Sequence, residues 1–112
     1  MVVGVCRLTL MVEGSHSLKE KRMVLRRIKD RTRQKFNVAI AEVASQDAWQ
    51  QAVLGISVVA NDKAFCGQVL KKVVGFVEEL AVAKIVDDEM DFVQYGDDEA
   101  IGEVAHWEPD EQ

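Results

Sequence analysis

The stretch that decides the fold is residues 38–60, VAIAEVASQDAWQQAVLGISVVA. It holds two short apolar runs, VAIAEVA (38–44) and AVLGISVVA (52–60), rich in valine and isoleucine and short enough to be strands rather than helices. Between them, SQDAWQQ is polar and compact, as a hairpin-like connection requires.

Working outward, SLKEKRMVLRRIKDRTRQKF (17–36) precedes the pair. Ser17 with Glu20 three residues on is a capping-box pattern, so a helix is expected from there to about Phe36, where Asn37 breaks the pattern. After the pair, Asn61 and Asp62 are N-cap candidates for a second helix, KAFCGQVLKKVVGFVEEL (63–80). Phe65, Val69, Val73, Phe76 and Leu80 recur at helical spacing and form its expected buried stripe. Gly67 and Gly75 weaken a helix by about 1 kcal/mol each relative to alanine, so close packing is their expected purpose. Residues 2–12 alternate Val2, Cys6, Leu8, Leu10 and Val12 against Val3, Val5, Arg7, Thr9 and Met11, a strand with two distinct faces. A last strand is expected at about 82–94. The order strand, helix, strand, strand, helix, strand is the α+β, ferredoxin-like βαββαβ arrangement, a four-stranded antiparallel sheet with two helices on one face.

One such domain, residues 1–95, suits a chain of 112 residues. From 96 to 112 the periodicity is lost, and residues 87–112 hold 11 carboxylates and no lysine or arginine. This end reads as an acidic C-terminal tail, with at most a short strand or turn around Ile101 to Trp107. MVVGVCRLTLMV at the start lacks the basic region and cleavage site of a signal peptide, and no run reaches the ~20 apolar residues of a membrane span. A cytoplasmic protein without membrane contact is expected, with Cys6 and Cys66 as buried, reduced thiols.

The charge is unevenly distributed. The chain carries 19 carboxylates against 14 lysines and arginines, yet nine of those cations lie between Lys19 and Lys35 beside only Glu20 and Asp30. On a helical wheel Leu18, Val24, Leu25, Ile28, Thr32 and Phe36 share the sheet-facing side. Lys19, Arg22, Arg26, Lys29 and Arg33 form an adjacent stripe ~21 Å long at 1.5 Å per residue. Like charges so aligned repel by a few tenths of a kcal/mol per pair, which suits a surface that meets something negative. Arginine forks grip phosphate oxygens, and a strip of this length follows several phosphates of a nucleic-acid backbone. The alternative is that these cations pair with the protein's own acids or with another acidic protein. The first and third strands lack the aromatic residues with which single-strand readers of this topology stack bases, so recognition of a folded RNA by shape is expected over sequence readout. If the acidic tail mimics phosphate against the helix, removing residues 96–112 strengthens RNA binding.

No catalytic, metal or cofactor site is expected. His16 and His106 have no partners at metal-ligand spacing, Glu42 and Asp47 have no nucleophile beside them, and no P-loop, nucleophile elbow or zincin motif occurs. Met11, Met23 and Met90 read as packing residues, VDDEMD as a solvated edge strand, and Trp49 as a cap on the core. The open sheet face, with Val3, Val5, Thr9 and Met11, is apolar enough to make a homodimer or a protein-interaction module the second reading.

SLKEKRMVLRRIKDRTRQKFNVAIAEV followed by DAWQQAVLGISVVAND resembles the YlxP-like bacterial family, a domain of unknown function. The resemblance covers about residues 1–95 and rests on SLKEKR at the helix start, KFNVAIAEV, and the D-x-W-Q-x-A-x-L-G turn. It implies a ferredoxin-like fold and no established enzymatic activity. Genes of this family often neighbour those of translation initiation factor two and ribosome-binding factor A, which implies work near ribosome assembly or translation. No binding residues are established for the family; within the motif, Lys19, Lys21, Arg22, Arg26 and Arg33 are the cations expected to contact RNA or ribosomal subunits.

Overall fold

A computed structural model describes residues 1–96. The elements follow in the order β1 (Val2–Met11), α1 (Leu18–Lys35), β2 (Ala39–Ala44), β3 (Gln51–Ala60), α2 (Lys63–Leu80) and β4 (Lys84–Gln94). The strands form one sheet in the order β2-β3-β1-β4, every neighbouring pair antiparallel. This is the split βαβ topology of the ferredoxin-like fold. The tail, with the turn or strand expected around Ile101 to Trp107, lies outside the described residues apart from Gly96.

The local signals act as their chemistry dictates. Ser17 Oγ accepts from Glu20 N at 3.1 Å, satisfying one of the amides that a helix start leaves unpaired. The Glu20 carboxylate reaches back one residue beyond the cap, accepting from His16 N at 2.6 Å. Asp62 caps α2 through Ala64 N at 3.3 Å. In β1 the alternation holds: Val2, Cys6, Leu8 and Leu10 are buried under the helices, while Val5 and Arg7 face outward.

α2 sits one row away from the stripe expected of it. Its buried residues are Cys66, Leu70, Val73 and Val77; Phe65 is 51% exposed, and Val69, Phe76 and Leu80 are half-buried. The helix carries enough apolar residues to satisfy two overlapping rows, and β1 selects between them. A Cβ at Gly4 would stand 3.1 Å from both Cys66 Cβ and Leu70 Cδ1, so the missing side chain of Gly4 seats that row. Gly67 and Gly75 are not the tight positions: a Cβ at Gly67 would make ordinary contact with Phe92, at 3.5 Å, and one at Gly75 would meet nothing within 4 Å.

α1 lies along β2 and beside α2, whereas α2 covers β1, β3 and β4. α1 therefore belongs to one side of the sheet, and β4 forms the opposite edge.

Candidate nucleic-acid interface

The buried row of α1 is Lys21, Leu25, Ile28 and Thr32, with Leu18, Val24 and Phe36 half-buried beside it. Lys21, expected among the phosphate-contacting cations, is buried and does not belong with them. Its side chain is 1% exposed. Nζ donates to Ser45 O at 2.8 Å, Gln51 O at 3.2 Å and Gln46 O at 3.4 Å, and stands 3.0 Å from Glu42 Oε2. The last contact is a charge contact rather than an aligned hydrogen bond. An ammonium has three protons to give, and the carbonyls of the β2–β3 connection take them. Spacing could have found this: positions 18, 21, 25, 28 and 32 are one continuous i+3, i+4 row that includes Lys21.

Lys19, Arg22 and Arg26 are exposed, and Lys29 is partly so. Among the described residues none of these four has an ion pair or side-chain hydrogen bond. Arg33, at the end of the same stripe, is committed elsewhere: Nη2 donates to Ile40 O at 2.8 Å and Nη1 lies 3.7 Å from Asp30 Oδ1. Its side chain is still half-exposed, so it both ties α1 to β2 and ends the stripe. Because Arg33 reaches β2, the whole stripe faces the β2 edge of the sheet. Lys35 lies on the other side, with Nζ 5.0 Å from the Phe76 ring centroid on α2 and 5.9 Å from that of Phe36.

The acids are placed apart from this surface. Asp87, Asp88, Glu89 and Asp91 are exposed on β4. There Glu89 pairs with Arg7 at 3.7 Å. With β3 and β1 between β4 and β2, β4 does not neutralise the α1 stripe.

Trp49 does not cap the core; it is 55% exposed on the β2–β3 connection. That connection is tightly made. Ser45 adopts a left-handed conformation (φ 63°), and its carbonyl accepts from both Lys21 Nζ and Ala48 N. Gln50 O accepts from Val12 N at 2.8 Å, and Gln50 Nε2 donates to Ser15 O at 3.2 Å.

The uncovered sheet face carries a shallow trough of about 730 Å³ over Ala39, Ala41, Gly55 and Ser57. Val43, displaced by a bulge in β2, leans across it; a Cβ at Gly55 would come within 2.9 Å of Val43 Cγ1. Val5, Val59 and Val93 are exposed around this face. The face of β1 and β3 bears no aromatic ring among the residues turned outward.

No group of three or more histidine, cysteine or acidic side chains is gathered for a metal among the described residues. No helix there is long and apolar enough to cross a membrane. Cys6 and Cys66 are free and buried. Burial, with the Asp88 charge adding to it, pushes the Cys6 thiol up from 9.0 to about 11. Both thiols are buried, so a thiol-reactive disulfide reagent is expected to label neither cysteine until the protein unfolds. Stoichiometric labelling of the folded protein within minutes would contradict that burial.

The match to known proteins follows the same residues. The family model described as "Protein of unknown function (DUF503)" matches residues 3–90. The chain belongs to that family. It is also 36% identical over 77 residues to "Uncharacterized protein YlxP" of Bacillus subtilis (strain 168), covering 69% of this chain and 84% of that one. Among solved structures it is similar to the de novo designed protein Foldit4 (TM-score 0.47, 14% identity, 83% of this chain and 96% of that one). It is likewise similar to the designed ferredoxin-fold protein LFR1 1 (TM-score 0.48, 14% identity, 83% of each chain). The YlxP-like resemblance is thus a family membership, and the family itself has no assigned function.

Proposed function

We propose that this chain is a small non-enzymatic accessory protein that binds structured RNA or ribosomal particles through α1, in ribosome assembly or translation. The observation that carries this reading is the unneutralised stripe Lys19, Arg22, Arg26 and Lys29, which faces the β2 edge while the acidic strand β4 lies at the opposite edge. Among the described residues none of those cations is in an ion pair, and four charges on one helix suit the repeating phosphates of a nucleic-acid backbone. The surplus of acid elsewhere keeps affinity modest and dependent on salt. The test is binding of the protein to purified ribosomal subunits and to a structured ribosomal RNA fragment over a salt series. Wild type is compared with an Arg22→Glu, Arg26→Glu, Lys29→Glu variant of verified fold. Arg33 is left in place because it holds α1 to Ile40.

A second reading, compatible with the first, is favoured by the trough on the open sheet face and the valines exposed around it. Two copies packing these faces would bury that apolar surface. Sedimentation at micromolar concentration distinguishes the cases: a dimer supports sheet pairing, and a monomer counts against it.

A further inference from the structure

We propose that Trp49 is a stacking platform for one unpaired base of the RNA whose phosphates α1 grips, an inference that rests on the phosphate reading of α1. A tryptophan left 55% exposed leaves apolar ring surface in water, and the fold makes no use of it as core. The loop is nevertheless held in place rather than left to find its own conformation. Lys21 Nζ grips Ser45, Gln46 and Gln51 at the loop's two ends, and Gln50 is bonded to both Val12 and Ser15. A left-handed serine, which costs about 1 kcal/mol or more, is retained at the loop's first residue. The ring is therefore presented on a fixed mount, so stacking on it costs little ordering.

The mount is also built against the basic helix. Lys21, which holds the loop, lies between Lys19 and Arg22, the first two cations of the stripe. Ser15, bonded to Gln50, donates its hydroxyl to Ser17 O at the helix cap. Trp49 thus belongs to the end of the molecule where the stripe begins. Around it in the connection, Ser45, Gln46, Asp47 and Gln50 are polar and Ala48 is small, with Asp47 the one acid. A flat π surface beside phosphate-binding cations is how sequence-tolerant single-strand contacts are made: the ring accepts any base and the cations hold the backbone. This chain does not use the aromatic sheet face by which related topologies read bases.

The probes are an RNA hairpin with an unpaired loop and a blunt RNA duplex with the same number of phosphates. Both are titrated into a Trp107→Phe background, so that Trp49 is the sole indole. The hairpin is expected to quench Trp49 fluorescence. Trp49→Ala is expected to weaken hairpin binding about 5- to 150-fold, and Trp49→Phe less, while duplex affinity and the salt slope stay as in wild type. Equal hairpin binding by Trp49→Ala and wild type would overturn the stacking role and leave the phosphate reading standing. No binding of either RNA by wild type at 50 mM salt would overturn both. The side chain is exposed, so an unchanged melting temperature certifies the fold of each variant.

Discussion

Reversing Arg22, Arg26 and Lys29 to glutamate is expected to abolish binding to structured RNA and to flatten its salt dependence. Each phosphate neutralised contributes a slope of about −0.7 to −0.9 in log K against log salt. Four contacts, from Lys19, Arg22, Arg26 and Lys29, give wild type a slope of about −2.8 to −3.6. Raising salt from 50 to 200 mM then costs about 50- to 150-fold in affinity. With Lys19 alone remaining, the slope falls to about −1 or less, and three added carboxylates repel the backbone besides. These residues are outward on α1 and none is in an ion pair among the described residues, so the fold is expected to survive the change. Binding by the variant with an undiminished slope would place the phosphate contacts elsewhere.

Lys21→Met is expected to do the opposite, damaging the fold without touching the salt slope. Removing one partner of a buried pair leaves the other charge uncompensated, at about 3–5 kcal/mol. Here Glu42, whose side chain is 16% exposed, would be left so, and three carbonyls would lose the ammonium as a donor, Ser45 O keeping only Ala48 N. For a domain of this size that is a fall in Tm of more than about 12 °C. A Lys21→Met, Glu42→Leu double variant, which removes both charges, is expected to recover part of the loss. Thermal unfolding by circular dichroism measures all three chains. An unchanged Tm for Lys21→Met would mean that the ammonium does not hold the β2–β3 connection.

These two lysine-bearing positions, 19 and 21, show what could be read in advance. Period and capping placed every element, because Ser17 with Glu20 starts α1 on local chemistry and the alternation in β1 is decided by burial on one side. Lys21 is a different matter. Its spacing put it in the buried row and its charge argued for the surface, and the partners that reconcile the two lie 21 or more residues away in Glu42, Ser45, Gln46 and Gln51. A buried cation is tolerated only where such acceptors converge, and convergence is a property of the assembled fold. The same holds for α2, where the sequence allowed two apolar rows and the space over Gly4 chose one. Trp49 belongs with them: a large aromatic in a loop reads as core until the grip of Lys21 and the turn at Ser45 show which way the loop is held. The cationic stripe was legible because it needed only the helical period. What it lacked was the position of the acids, and strand order supplies that by putting β4 at the far edge.

On the proposed reading α1, and not the open sheet face, meets RNA. Nitrogen-15 amide spectra of the protein, recorded at 50 mM salt as a structured ribosomal RNA fragment is added, test it most directly. The shifts are expected to concentrate on Lys19–Lys29 and on the connection around Trp49, to reverse as salt is raised, and to leave β4 and the trough around Gly55 unmoved. Shifts centred on Val5, Gly55 and Val59, or none at all, would contradict it.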